Sequence, residues 1–337
     1  RIESDELLRS YSMTAATLAP VSSDAYVATN GNGVFKLDLL AYATERLPAG
    51  LLSAGAGGLA VADGRVCVGS DVRFERGRRG ITCFRDDLSE FTYHEGGGLA
   101  GVPGSALRRL ALTRRAIWAA GDRGLVRVER RGGEVQQLLT GDGLPSDDVR
   151  AVLAVPSGVW IGTTRGLAFA PDTGRRGIAE PRAPTRGAVS ALALIGDTVW
   201  VGTSGGLDSY VPGLGAAGAG GVAALREPIA AVAAKGDTLL VATDRQLVWR
   251  AGGQWRAELP PGPGIGRHTQ VAADRDGFWV AGTGGLAYYR PWENLWIALT
   301  SEGDVPQPVS DVAADRRYVW AATRVGVVRF ERSAIVP

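Results

Sequence analysis

Short apolar stretches, five to seven residues long and separated by glycine-bearing turns, follow one another along the whole chain without a helical period. Residues 149–155 form one such stretch; a turn follows, then Val159-Trp160-Ile161-Gly162-Thr163, then a tight turn at Thr164-Arg165-Gly166. A third apolar run, 167–170, comes next, and a more polar fourth stretch of the kind seen at 134–139 completes the unit. Runs of this length bounded by turn residues predict strands rather than helices. Glycine at positions 166, 206, 285 and 326 fits a hairpin turn that needs positive φ.

The unit repeats. Val159 to Leu167 has a near copy at Val199-Trp200-Val201-Gly202-Thr203-Ser204-Gly205-Gly206-Leu207, looser copies around Trp118, Trp279 and Trp320, and degenerate ones elsewhere. With the tryptophan as marker, the series is Tyr26, Cys67, Trp118, Trp160, Trp200, Leu240, Trp279 and Trp320, at steps of 41, 51, 42, 40, 40, 39 and 41. Four strands in about 42 residues, repeated in tandem, are the signature of a β-propeller blade. The prediction is an all-β fold: one propeller domain over 1–337, with eight four-stranded blades and an insertion in blade 2 near 71–80. The repeated tryptophan is then a packing residue between blades. The last unit runs out of chain before a fourth strand, and residues 1–10 precede the first inner strand, so the N-terminal segment is expected to close the ring and cover both edges. Seven blades is the alternative, if the insertion-bearing second unit is not a true blade.

Trp160-Ile161-Gly162-Thr163 followed by Gly166-Leu167, and preceded by Gly143-Leu144-Pro145-Ser146-Asp147-Asp148-Val149, resembles the two-component-regulator propeller repeat. The resemblance covers most of the chain, strongly in units four, five, seven and eight and weakly in one, two and six. It implies periplasmic sensor propellers of hybrid histidine kinases, or stand-alone exported proteins, that bind a ligand or partner; it implies no reaction. The sequence departs from the larger members in showing no transmembrane helix, kinase or DNA-binding region.

Composition narrows the chemistry. Glycine accounts for 48 of 337 residues, charged residues for 21%, and the formal net charge is +2. Two histidines and two cysteines leave almost no material for a metal site or cluster, and neither a metal nor a cofactor is expected. No P-loop, dinucleotide fingerprint or EF-hand loop is present. Cys67 occupies the Trp160 position on a second strand and Cys83 the Phe169 position on the third strand of the same unit. Across a hairpin these are neighbours on one face, which makes a disulfide geometrically reasonable, with two buried thiols as the rival reading. A bridge would favour an oxidising compartment and agrees with the exported location that the family resemblance implies.

In a propeller blade the start of the inner strand and the turn between strands two and three meet at one face. The inner-strand starts supply Arg108, Arg109, Asp147, Asp148, Arg150, Arg186, Arg226, Glu227, Arg267, His268, Gln270 and Asp311. The turns supply Asp122, Arg123, Arg165, Asp244, Arg245 and Arg324, and the insertion adds Asp71, Arg73, Glu75, Arg76, Arg78 and Arg79. Fourteen basic residues stand against eight acidic ones on this face. Of the 37 basic residues all but Lys36 and Lys235 are arginine, whose fork grips carboxylate, sulfate or phosphate. The expected role is therefore non-enzymatic binding of an acidic glycan or acidic protein at the channel mouth, with no nucleic-acid partner. The enzymatic alternative, a polysaccharide-active or lyase-type propeller, would rest on His268 and carboxylates such as Asp148 and Asp311; a pure protein–protein scaffold is the third reading.

Overall fold

The computed structural model describes residues 13–336 apart from 21, 30–32, 48–49, 54, 72–78, 96–105, 173–178, 184, 219–222, 259–263 and 302. Strands dominate it, in eight antiparallel sheets whose strands lie in chain order. Seven sheets have four strands; the last, Val309–Ala314, Tyr318–Thr323 and Gly326–Glu331, has three among the described residues. The hairpin glycines 166, 206, 285 and 326 take φ values of 143°, 117°, 145° and 133°, as their turns require. At Gly285 a side chain is also excluded sterically, because a Cβ there would run into the carbonyl oxygen of Leu299 on the fourth strand.

The core is divided into seams, each made of two neighbouring sheets. Trp118 of the third sheet, 1% exposed, packs with Val149, Val159 and Ile161 of the fourth. Trp160 packs on the fifth sheet through Val189 and Val201, and Trp200 on the sixth through Ile229 and Val241. Leu240 meets the seventh at Phe278 and Val280, and Trp279 the eighth at Val309 and Val319. Each of these markers thus fills the space toward the next sheet. Burying an aromatic side chain this large is a dominant stabilising contribution.

The circuit closes unexpectedly. Trp320 of the eighth sheet packs against Leu59, Val66, Val68 and Phe84 of the second. Cys67 in turn meets the third sheet at Leu107 and Leu110. The inner strands of the second to eighth sheets, starting at Ala56, Leu107, Val149, Val189, Ile229, His268 and Val309, lie side by side in that order, and the last returns to the first. This corrects the expected ring of eight: the eighth sheet contacts the second directly and leaves no place between them for the first. The first sheet (Met13–Leu18, Asp24–Thr29, Gly33–Asp38, Ala43–Leu47) buries Ala25, Val27, Phe35 and Leu37 in a cluster of its own, and its inner strand is exposed along all six residues. The insertion-bearing second unit is a full blade. Residues 1–10, expected to close the ring, lie outside the described residues.

Cys67 and Cys83 are directly paired across the second sheet's hairpin, 4.1 Å apart at Cα, and form a disulfide. Both are almost fully buried at the second-to-third seam, in the space a tryptophan fills in other units.

Candidate functional site

Every inner strand of the ring carries a one-residue irregularity near its start. In the fourth sheet Val149 pairs with Thr163 and Ala151 with Gly162, so Arg150 has no partner across the ladder. The same slip leaves out Arg108, Ser190, Ala230, Thr269 and Ser310, and in the second sheet it falls at Gly57-Gly58. A bulge of this kind re-aims the extra residue. Here Gly57, Arg108, Arg150, Ser190, Ala230, Thr269 and Ser310 all line one cavity of about 550 Å³, together with Arg109 and Asp71. The seven sheets therefore each contribute the equivalent residue to a central mouth. Gly57 must lack a side chain, since a Cβ would collide with the carbonyl oxygen of Leu107.

Three of these residues tie the ring together. Ser190 Oγ donates to the Ile229 carbonyl of the next sheet, Thr269 Oγ1 to that of Val309 at 2.7 Å, and Ser310 Oγ to that of Ala56 at 2.8 Å. The acceptor is the equivalent residue each time, so Ser310 relates the eighth sheet to the second as Thr269 relates the seventh to the eighth.

The arginines at the mouth are held. Arg108 pairs with Asp148 at 2.5 Å, and Arg150 grips the other oxygen of the same carboxylate at 2.9 Å. Burial works against the charge on Asp148, but hydrogen bonds and charge from Arg150 and Arg108 outweigh it and hold its carboxyl below the ordinary value. Arg109 reaches across the channel, donating to the carbonyls of Thr269 at 3.1 Å and Ser310 at 3.4 Å, and stands 3.9 Å from Asp311. Asp311 is 2% exposed and accepts the N–H groups of Leu59 and Val312. Burial pushes its carboxyl up, against the opposing effect of Arg109 and those donors. The charge around the cavity is therefore more balanced than the count over the whole face: Asp148 lies between two guanidiniums, Asp311 behind the third, and Asp71 lines the wall.

Other residues expected at this face separate into groups. Arg123, Arg165, Arg245 and Arg324 are exposed on the turns between second and third strands, at the mouth's end of each sheet, and do not line the cavity. Arg267 is exposed 4.0 Å from Asp244, and Arg79 is exposed at the end of the insertion. Arg73, Arg76 and Arg78 lie outside the described residues. His268 is corrected: it occupies the buried first position of its inner strand, where the other sheets of the ring have Ala56, Leu107, Val149, Val189, Ile229 and Val309, and not the channel. Its Nδ1 is 2.8 Å from the Thr243 carbonyl, and burial holds its pKa below the ordinary imidazole value. Sequence reasoning missed Ser190, Thr269 and Ser310, although they hold the same place as Arg108 and Arg150, one residue after the first buried position. It also missed Asp208, which fixes Arg186 from a third strand.

Fold and site together define a β-propeller with a polar, arginine-bearing mouth formed jointly by seven sheets. Its fold is shared with solved structures. The extracellular domain of a B. thetaiotaomicron protein described as a hybrid two-component system matches with a TM-score of 0.65 and 15% identity, over 96% of this chain and 52% of that one. A second B. thetaiotaomicron extracellular domain, described as from a one-component system, gives 0.51 and 16%, over 96% and 51%. PorZ, a surface component of the type-IX secretion system of Porphyromonas gingivalis, gives 0.62 and 9%, over 82% and 37%. The chain thus spans about half the length of the first two. At these identities the similarity is one of fold. No family model matches the chain, and no curated protein sequence does. Among the described residues no helix is long and apolar enough to cross a membrane.

Proposed function

We propose that this chain is a non-enzymatic binding propeller of the two-component-regulator type, exported from the cytoplasm, whose channel mouth takes an acidic glycan. The carrying observation is the convergence of seven equivalent bulge residues, with Arg109, on one cavity of about 550 Å³. That volume lies within the range of small-molecule sites, about 300–1,000 Å³. Guanidinium forks supply charge-assisted donors for carboxylate or sulfate. The neighbouring hydroxyls, carbonyls and carboxylates give the alternating donors and acceptors that sugar hydroxyls need. The fold shared with extracellular domains of sensor systems supports the sensing role, and the buried disulfide supports an oxidising compartment. The lyase reading loses its best base, because His268 is turned into the wall between two sheets.

An array of uronate-bearing, sulfated and neutral oligosaccharides, read beside purified acidic proteins, tests the proposal. The expected result is saturable binding of acidic sugars that weakens from 0.1 to 1 M salt, as the Debye length falls from about 10 to about 3 Å. Replacing both Arg108 and Arg150 by alanine should weaken it at least about tenfold, the equivalent of about 1.4 kcal/mol. Equal binding of neutral sugars, retention of acidic proteins alone, or an unaffected double variant would overturn it.

A further inference from the structure

A second cluster of arginines lies at the opposite end of the same sheets. The inner hairpin of the second sheet turns at Asp63-Gly64, both with positive φ, and sends Arg65 back along the next strand. The corresponding turn of the third sheet carries Arg114, and its next turn on that side carries Arg130 and Arg131 ahead of Gly132-Gly133. These residues and His94 enclose a cleft of about 510 Å³ between the two sheets, floored by Cys83 and Ile117.

The cleft differs chemically from its surroundings. Four arginines line it, and Asp63 is the one carboxylate among its described lining residues. Arg130 is anchored by donating to the Thr113 carbonyl at 2.9 Å, and Arg65 stands a loose 3.7 Å from Glu90. Arg114 and Arg131 have no ion pair among the described residues, although arginines elsewhere in this protein are repeatedly tied to Asp or Glu. The disulfide and the buried seam beneath it give the cleft a rigid floor. Gly133 leaves room beside the ring of His94, a Cβ there being no nearer than 3.9 Å to Cε1. Concentrated guanidinium forks over a rigid, partly enclosed floor suit planar bidentate recognition of oxyanions.

We propose that this cleft is a second, independent binding site, for a compact ligand bearing two or more sulfate, phosphate or carboxylate groups on a body no larger than a disaccharide. Arg114 and Arg131 carry its affinity from the rim, with Arg65 and Arg130 placed deeper by their existing contacts. The site does not depend on the reading given to the channel mouth.

The test is calorimetric titration of the Arg108→Ala, Arg150→Ala chain, in which the channel mouth is weakened, with inorganic pyrophosphate and, separately, with a disulfated heparin-type disaccharide. One equivalent should bind at the cleft. Replacing both Arg114 and Arg131 by alanine should weaken it at least about tenfold, or about 1.4 kcal/mol. Made in the chain with an intact mouth, the same two changes should remove one binding event and leave the other. Tighter binding of the disaccharide would make the ligand a sulfated sugar, and tighter binding of pyrophosphate a phosphorylated one; either supports the site. The proposal is overturned if neither probe binds the mouth-weakened chain saturably at up to about 1 mM, or if adding the Arg114→Ala and Arg131→Ala changes leaves that binding unaltered. Melting temperatures of both variants within a degree or two of the parent would exclude unfolding as the cause.

Discussion

The two ends of the second and third sheets use arginine differently. At the channel mouth Arg108, Arg109 and Arg150 are built into the ring: their guanidiniums share Asp148, approach Asp311, and donate to carbonyls of sheets on the far side of the channel. In the cleft at the opposite end, Arg114 and Arg131 project from turns without such ties among the described residues. One residue type is therefore tied into the architecture at one end, where a ligand would have to share its guanidiniums with protein partners, and is untied at the other among the described residues. A guanidinium already satisfied by carboxylate and carbonyl must exchange those bonds to take a ligand, whereas a solvated one exchanges only water. The density of arginine on a surface is accordingly a poor guide to binding until its partners are known.

The sharpest challenge to this contrast is Arg109→Ala. Removing it leaves Asp311 buried without its cationic neighbour, and loss of one partner of a buried pair costs about 3–5 kcal/mol. Urea unfolding should show a loss at the lower end of that range, because Asp311 keeps two backbone donors, and Asp311→Asn in the same chain should recover part of it. An Arg109→Ala protein as stable as the parent would mean that the mouth arginines are not architectural. Next in size is the floor of the cleft: the bridge joins residues separated by 16 positions, and replacing both cysteines by serine should cost about 3 kcal/mol. The same measurement on Ser310→Ala should show about 1 kcal/mol, since its hydroxyl serves the Ala56 and Ala322 carbonyls.

A smaller effect concerns acid. Because the carboxyl of Asp148 is held below its ordinary value of 3.8, the stabilisation it provides is present above that value and is lost as pH falls through the lower, folded-state value. The parent's advantage over Asp148→Asn should therefore be constant near neutrality and shrink only below about pH 4; an advantage that shrinks near pH 6 would assign the pair another role. The smallest effect is expected from Arg114→Ala, within about 0.5 kcal/mol of the parent, as for exposed residues generally.

How much of this was legible in the sequence depended on whether a feature is local. Strand order within each sheet, the hairpin glycines, the inter-sheet tryptophans and the Cys67–Cys83 pair all follow from periodicity inside one 42-residue unit. Which sheet seals the ring does not. The first unit carries the same strand order and even the same slip, between Met13 and Ala15, yet it is not among the seven. Local pattern makes a blade, but packing against Trp320 decides which blade completes the circle. The arginines of the mouth were visible because their spacing repeats. Their carboxylate neighbours Asp148 and Asp311 were visible in the same stretches, whereas Asp208, the partner of Arg186, was not, since it arrives from a third strand. His268 was misread because the start of the inner strand was equated with the mouth, while the first position of that strand is one that its counterparts fill with alanine, leucine, valine or isoleucine.

The joint between the eighth and second sheets has a mechanical consequence. Neighbouring sheets elsewhere in the ring follow one another in the chain, so a load pulling them apart is shared by the polypeptide that connects them. At this joint the groups that meet are 252, 254 and 243 residues apart in sequence, at Leu59 with Asp311, Ala56 with Ser310, and Asp86 with Arg329. Side-chain packing and bonds such as these, rather than the backbone, resist tension there. The molecule is a clasped band with one clasp: under force or in early unfolding it should spring at this joint while its other six junctions stay shut. Anything that grips both sides of the clasp would stiffen the whole band.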